Sequence, residues 1–122
     1  MLFVVHALDK KDILPTRAKH YRAHRIYLDH AEEHAVEVVT ADILVADDGE
    51  TPVGSIIIVD AADRATVEAF TRSDPYHVNG VWERVAIHRL HASAVNNPVA
   101  KHVKGLRFQP GSPAPARRRN KH

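Results

Sequence analysis

An α+β domain with the element order β-α-β-β-α-β is predicted by three observations. Four short apolar stretches, rich in Leu, Val and Ile, lie within the first 91 residues. A helical stripe of apolar residues separates the first from the second, and a second, acid-capped helical pattern separates the third from the fourth. The chain has 122 residues, which suits one domain with a single modest core.

Met1 to Leu8 is rich in Leu, Phe and Val and stops at the polar run Asp9-Lys10-Lys11-Asp12, as a first strand would. From Thr16 to Ala35, the residues Ala18, Tyr21, Leu28, Ala31 and Ala35 recur three, four or seven apart and form one stripe of a helix. His24 lies in that stripe, three after Tyr21 and four before Leu28. Val36 to Ala46 is continuous and β-branched, and Asp47-Asp48-Gly49-Glu50-Thr51-Pro52 after it has the chemistry of a turn between antiparallel strands. Gly54 to Asp60 is the strongest strand pattern and is expected to be central. Asp60 or Asp63 is expected to cap a second helix reaching about Arg72, with Val67 and Phe70 on its apolar side. Ser73-Asp74-Pro75 ends it, a short turn leads to Gly80, and Val81 to Leu90 alternates as a final strand. This order is the ferredoxin-like, split-βαβ plan, with an antiparallel four-stranded sheet carrying both helices on one face. The other face is left with Val and Ile exposed, so a homodimer is expected to complete the fold.

Charge divides the chain. Residues 1–91 hold 10 Lys/Arg against 15 Asp/Glu, a net −5, whereas residues 92–122 hold 7 Lys/Arg and no acid, a net +7. The first part reads as the folded domain. The second reads as a basic C-terminal extension, flexible from about residue 109, where Pro110, Gly111, Pro113 and Pro115 interrupt regular structure and Arg117-Arg118-Arg119 repel one another. Nucleic acid is not the expected partner of this extension, because it lacks interleaved aromatics and no base-reading module is visible. No apolar run approaches the ~20 residues needed to cross a bilayer, and the N-terminal stretch lacks the basic region and cleavage site of a signal peptide. With no cysteine there is no disulfide framework or thiolate chemistry, and a cytoplasmic protein is expected.

The chemistry-bearing residues centre on His24 and Asp74. An imidazole on the inner face of a helix, met by a carboxylate fixed at a Pro-initiated turn, makes a proton-handling pair that needs no metal and no cofactor. The competing reading is a buried ion pair of purely structural role. Tyr76 either donates its hydroxyl to the site or packs its ring, and His6 reaches the same region if its strand face is inward. His20/His24 and His30/His34 are spaced four apart, but no third ligand follows at a predictable spacing, so no metal site is expected. The serines have no Gly-x-Ser-x-Gly elbow, and the five glycines form neither a dinucleotide fingerprint nor a P-loop.

Tyr21-Arg22-Ala23-His24, Thr40-Ala41, Gly54-Ser55, Ser73-Asp74-Pro75-Tyr76 and Gly80-Val81-Trp82-Glu83, taken with the element order, resemble the YciI-like (YCII-related) family over about residues 1–91. The resemblance implies a dimeric α+β barrel with a His24–Asp74 dyad in a small-molecule pocket; Tyr76, Asp42, Ser55 and His6 are the residues expected to line that pocket here. It also implies a cofactor-independent lyase or isomerase-like activity on a small metabolite, with a non-catalytic ligand-binding or regulatory module as the alternative. Two positions depart from the family pattern. Tyr21 stands where an arginine three before the histidine is usual, and Asp42-Ile43 replaces Gly-Pro after Thr-Ala.

Overall fold

The computed structural model describes residues 1–91; the expected extension over 92–122 lies outside the described residues. The elements are β1 (Leu2–Asp9), α1 (Leu14–Asp29), a 3-10 turn (Ala31–His34), β2 (Val36–Val45), β3 (Pro52–Ala61), α2 (Arg64–Arg72), α3 (Pro75–Val78) and β4 (Trp82–Leu90). All strand pairs are antiparallel and the sheet order is β2-β3-β1-β4, which is the ferredoxin-like arrangement. The strong pattern expected to be central is β3, and it shares the centre of the sheet with β1.

Strand alternation sets the core. Phe3, Val5 and Ala7 of β1 and Ile57, Val59 and Ala61 of β3 are buried, and they pack with Leu28 of α1 and Val67 and Phe70 of α2. Both helices therefore lie on one face. The opposite face carries Leu2, Val4, His6, Leu8, Ile56 and Ile58, all half-buried. No helix among the described residues is long and apolar enough to cross a membrane.

The first helix differs from expectation at both ends. It begins two residues earlier, where Pro15 supplies a preset first turn, and Ile13 before it offers no capping side chain. It stops at Asp29 rather than Ala35, because the His30 N–H is shared between the carbonyls of Ile26 and Tyr27, both at 3.2 Å, and the following residues tighten into the 3-10 turn. Ala35 then adopts a left-handed conformation at φ +60°, which turns the chain into β2. The stripe survives this break, since Ala31 stays buried.

Of the two aspartates considered as caps, Asp63 takes the role, accepting from the Thr66 N–H at 2.9 Å and the Thr66 hydroxyl at 2.7 Å. Asp60 instead meets the N-terminal ammonium of Met1 at 2.8 Å, in a half-exposed pair. The β2–β3 turn is held by Asp48, whose carboxylate accepts the Thr51 hydroxyl and the N–H groups of Thr51 and Glu50, with Gly49 at φ +77°. These bonds favour the charged form and hold Asp48 down at about 2.

Candidate active site

Asp74 is placed by local chain chemistry. Its backbone is extended (φ −63°, ψ 133°), as the residue before a proline prefers, and it caps the short α3 by accepting the Tyr76 N–H at 2.8 Å. That turn points the carboxylate at α1. His24, fifty positions earlier, brings its Nδ1 to 2.8 Å from Oδ1 and 3.0 Å from Oδ2 of Asp74. The two side chains are 6% and 1% exposed, so the pair is shielded from water and not a surface contact. An ionised carboxylate only accepts hydrogen bonds, so Nδ1 carries the proton and Nε2 is left to face other chemistry. Among the described residues, no hydrogen-bond partner meets Nε2.

The imidazole is also clamped by aromatic rings. Tyr76 stacks on it with centroids 4.0 Å apart and planes 10° from parallel. Trp82 approaches edge-on at 6.2 Å. Such packing restricts the ring to one orientation, which the carboxylate then fixes in rotation.

A second buried pair adjoins the first, and it was not singled out from the sequence. Arg17 of α1 donates from Nη1 to Asp9 Oδ2 at 2.7 Å, and from Nη2 to the Gly54 carbonyl at 3.3 Å and the Ser55 hydroxyl at 3.4 Å. Its guanidinium lies over the Tyr76 ring at 4.8 Å. Arg17 is 5% exposed despite its charge. The missed signal is its spacing: it stands seven before His24, two helical turns along the same stripe. Burial pushes the Asp9 carboxyl up, and the Arg17 guanidinium pulls it back only in part. Burial likewise pushes the Tyr76 phenol up to about 12, so its hydroxyl keeps its proton at neutral pH. Three polar atoms here are buried and have no partner among the described residues: Asp9 Oδ1, the Tyr76 hydroxyl and Trp82 Nε1.

Of the expected lining residues, Tyr76 and Ser55 are brought into this cluster, Tyr76 directly against His24 and Ser55 through Arg17. His6 and Asp42 are not. His6 is opposite Ile56 and Ala86 in register, on the face away from the helices, so the inward face on which its place in the site depended is not met. Asp42 is paired with Ile56 on that same outer face, where it is exposed and accepts from the Thr40 hydroxyl at 3.0 Å. The register of β2 slips between Val38 and Thr40, and this reverses the facing of the residues from Thr40 to Leu44. Tyr21, in the place of the usual arginine, is 36% exposed.

A cleft of about 540 Å³ opens between the end of α1 and β2, lined by Arg25, Leu28, Asp29, Val36 and Glu37 among others. A second, of about 470 Å³, lies beside His6, Leu8 and Arg84. Neither of these two clefts is lined by His24 or Asp74. The spacing of His30 and His34 loses its meaning once the α-helix ends at Asp29, and His30 Nδ1 lies 2.9 Å from the Ile26 carbonyl. No group of three or more His, Asp or Glu side chains among the described residues is arranged to hold a metal ion.

The YCII-related domain matches residues 1–91 of this chain. The chain belongs to the YCII-related family. Protein YciI of Escherichia coli O6:H1 is 33% identical over 94 residues, covering 71% of this chain and 93% of that protein. Protein YciI of Shigella flexneri matches to the same extent. Among solved structures, the chain superposes on 5-chloro-2-hydroxyhydroquinone dehydrochlorinase from Burkholderia phenoliruptrix AC1100, in complex with 2,5-dihydroxybenzoquinone. The TM-score is 0.65 with 24% identity, over 75% of this chain and 94% of that one. At this identity the likeness establishes the shared fold.

Proposed function

We propose that this YCII-related protein is a cofactor-independent enzyme of lyase or isomerase type acting on a small metabolite, with His24 as the proton-moving group. The observation that carries the proposal is the contact of His24 Nδ1 with both oxygens of Asp74 in a site shielded from water. In the elimination form, Nε2 takes a proton from a carbon next to an electron-withdrawing group. The C–H electron pair becomes the new π bond, and the leaving group departs with its own bonding pair. Asp74 balances the imidazolium that results, and the proton then passes to water. In the isomerase form the same proton returns to a different carbon. General base help of this kind supplies about 10²–10⁴-fold, so the substrate must already be acidic at carbon. The fold shared with a dehydrochlorinase is compatible with the elimination form.

The test is chloride release from 5-chloro-2-hydroxyhydroquinone, whose diketo tautomer has an acidic CH2 between a carbonyl and the C–Cl carbon, by the full chain and by His24→Gln, which keeps a side-chain N–H for Asp74. The wild type is expected to exceed buffer, and the variant to lose at least about 100-fold with little change in thermal midpoint. A variant that keeps its rate removes the catalytic role from His24. The same compound bound but not turned over by the wild type points to the non-catalytic ligand-binding alternative.

The proposal includes a homodimer formed through the open sheet face. It is supported by Leu2, Val4, Leu8, Ile56 and Ile58, which lie partly exposed on that face. Sedimentation velocity is expected to give twice the chain mass; a monomer at micromolar concentration contradicts it.

A further inference from the structure

We propose that Tyr76, Trp82 and Asp9 together anchor one neutral hydroxyl group of the small molecule on which His24 works; this rests on the proposed function of the same site. The three residues are mutual neighbours. Asp9 and Trp82 are opposite one another across β1 and β4, at the point where the register slips. The Tyr76 and Trp82 rings meet edge-to-face at 5.9 Å. Arg17 joins the group, binding Asp9 at 2.7 Å and covering Tyr76 at 4.8 Å. Each residue contributes one buried polar atom with no partner among the described residues. Buried polar groups in folded domains are almost always paired, so three orphans in adjacent side chains call for a shared partner.

The donor and acceptor inventory names the chemistry of that partner. The indole N–H only donates, the protonated phenol donates, and the carboxylate oxygen accepts. A hydroxyl accepts two hydrogen bonds and donates one, which satisfies all three atoms. A carboxylate or phosphate brings no proton for Asp9 Oδ1 and sets a second negative charge beside it. An ammonium cannot accept from the indole. Arg17 is not a spare cation for an anionic ligand either, because its charge is already balanced by Asp9. Burial pushes Asp9 up, and a donated hydroxyl proton is the interaction that favours its ionised form. All three orphan atoms are out of contact with water.

Trp82 is the only tryptophan, so its indole N–H gives a single side-chain cross-peak in a ¹⁵N-correlated proton spectrum of the full chain. Titration with phenol is expected to shift that peak, while anisole, which lacks the hydroxyl proton, binds at least about tenfold more weakly. Tyr76→Phe is expected to weaken phenol about tenfold without lowering the thermal midpoint. Equal binding of phenol and anisole, an indole peak unmoved by phenol, or unaltered affinity in Tyr76→Phe overturns the anchor. Phenol binding without turnover of any substrate ends the enzyme reading alone, whereas turnover with no preference for phenol over anisole ends the anchor alone.

Discussion

Replacing Tyr76 by Phe is expected to make the protein more stable. The side chain is fully buried, and its hydroxyl has no partner among the described residues. Leaving a buried hydroxyl unpaired costs about 1–3 kcal/mol by mutational measure. Phenylalanine removes that oxygen and keeps the ring, so the stack on His24 at 4.0 Å, the Arg17 guanidinium at 4.8 Å and the edge contact with Trp82 at 5.9 Å all survive. No cavity larger than the oxygen itself opens. A gain of about 1 kcal/mol follows, or about 4–8 °C in Tm for a domain of this size. Urea unfolding followed by the fluorescence of Trp82 measures it, with an unchanged slope showing that the native and unfolded states keep their compactness. A loss of 1 kcal/mol or more refutes the reasoning, since it means that the hydroxyl is hydrogen-bonded in solution and was never an orphan.

Asp74→Ala removes the acceptor for both His24 Nδ1 and the Tyr76 N–H, and is expected to destabilise by about 3–5 kcal/mol in chemical denaturation; a loss below 1 kcal/mol contradicts a buried, coupled pair. Tyr76 and Tyr27 both have phenols pushed up by burial to about 12. The unfolded chain ionises near 10, so the stability these phenols contribute is complete below pH 10 and is lost as pH rises through about 12. Absorbance near 295 nm is expected to show two of the three tyrosines ionising late and together with alkaline unfolding; early ionisation of all three rules this out. Gly54→Ala is expected to cost about 1–3 kcal/mol, because a Cβ there runs into the Ala7 carbonyl oxygen on the neighbouring strand, and an unaltered Tm shows that the strands part freely.

The element order, the central position of β3 and the places of His24 on the helical stripe and Asp74 at a Pro-initiated turn were legible in the sequence. Each is carried by local signals: β-branched runs, a stripe at helical spacing, and an Asp-Pro turn. The early end of α1 was not legible, since Ala31 and Ala35 continue the spacing while the backbone changes to a 3-10 turn with the same residues facing inward. Arg17 was hidden for a different reason. A charged residue on a helix stripe reads as solvent-facing until a counter-charge from another element meets it, and Asp9 does so from the end of β1.

Alternation along a strand by itself determines which residues share a face, and helix spacing determines that Arg17, His24 and Leu28 lie on one stripe. Which face is covered, and where a register slip reverses it, only the tertiary structure decided. His6 keeps its parity with Val4 and Leu8 and so turns away from the helices with them. Asp42 follows the slip at Val39 and joins that outer face. The physical reason is that a strand is two-sided with a period of two, so one inserted residue or one layer of helices reassigns every side chain without altering the pattern that encodes it.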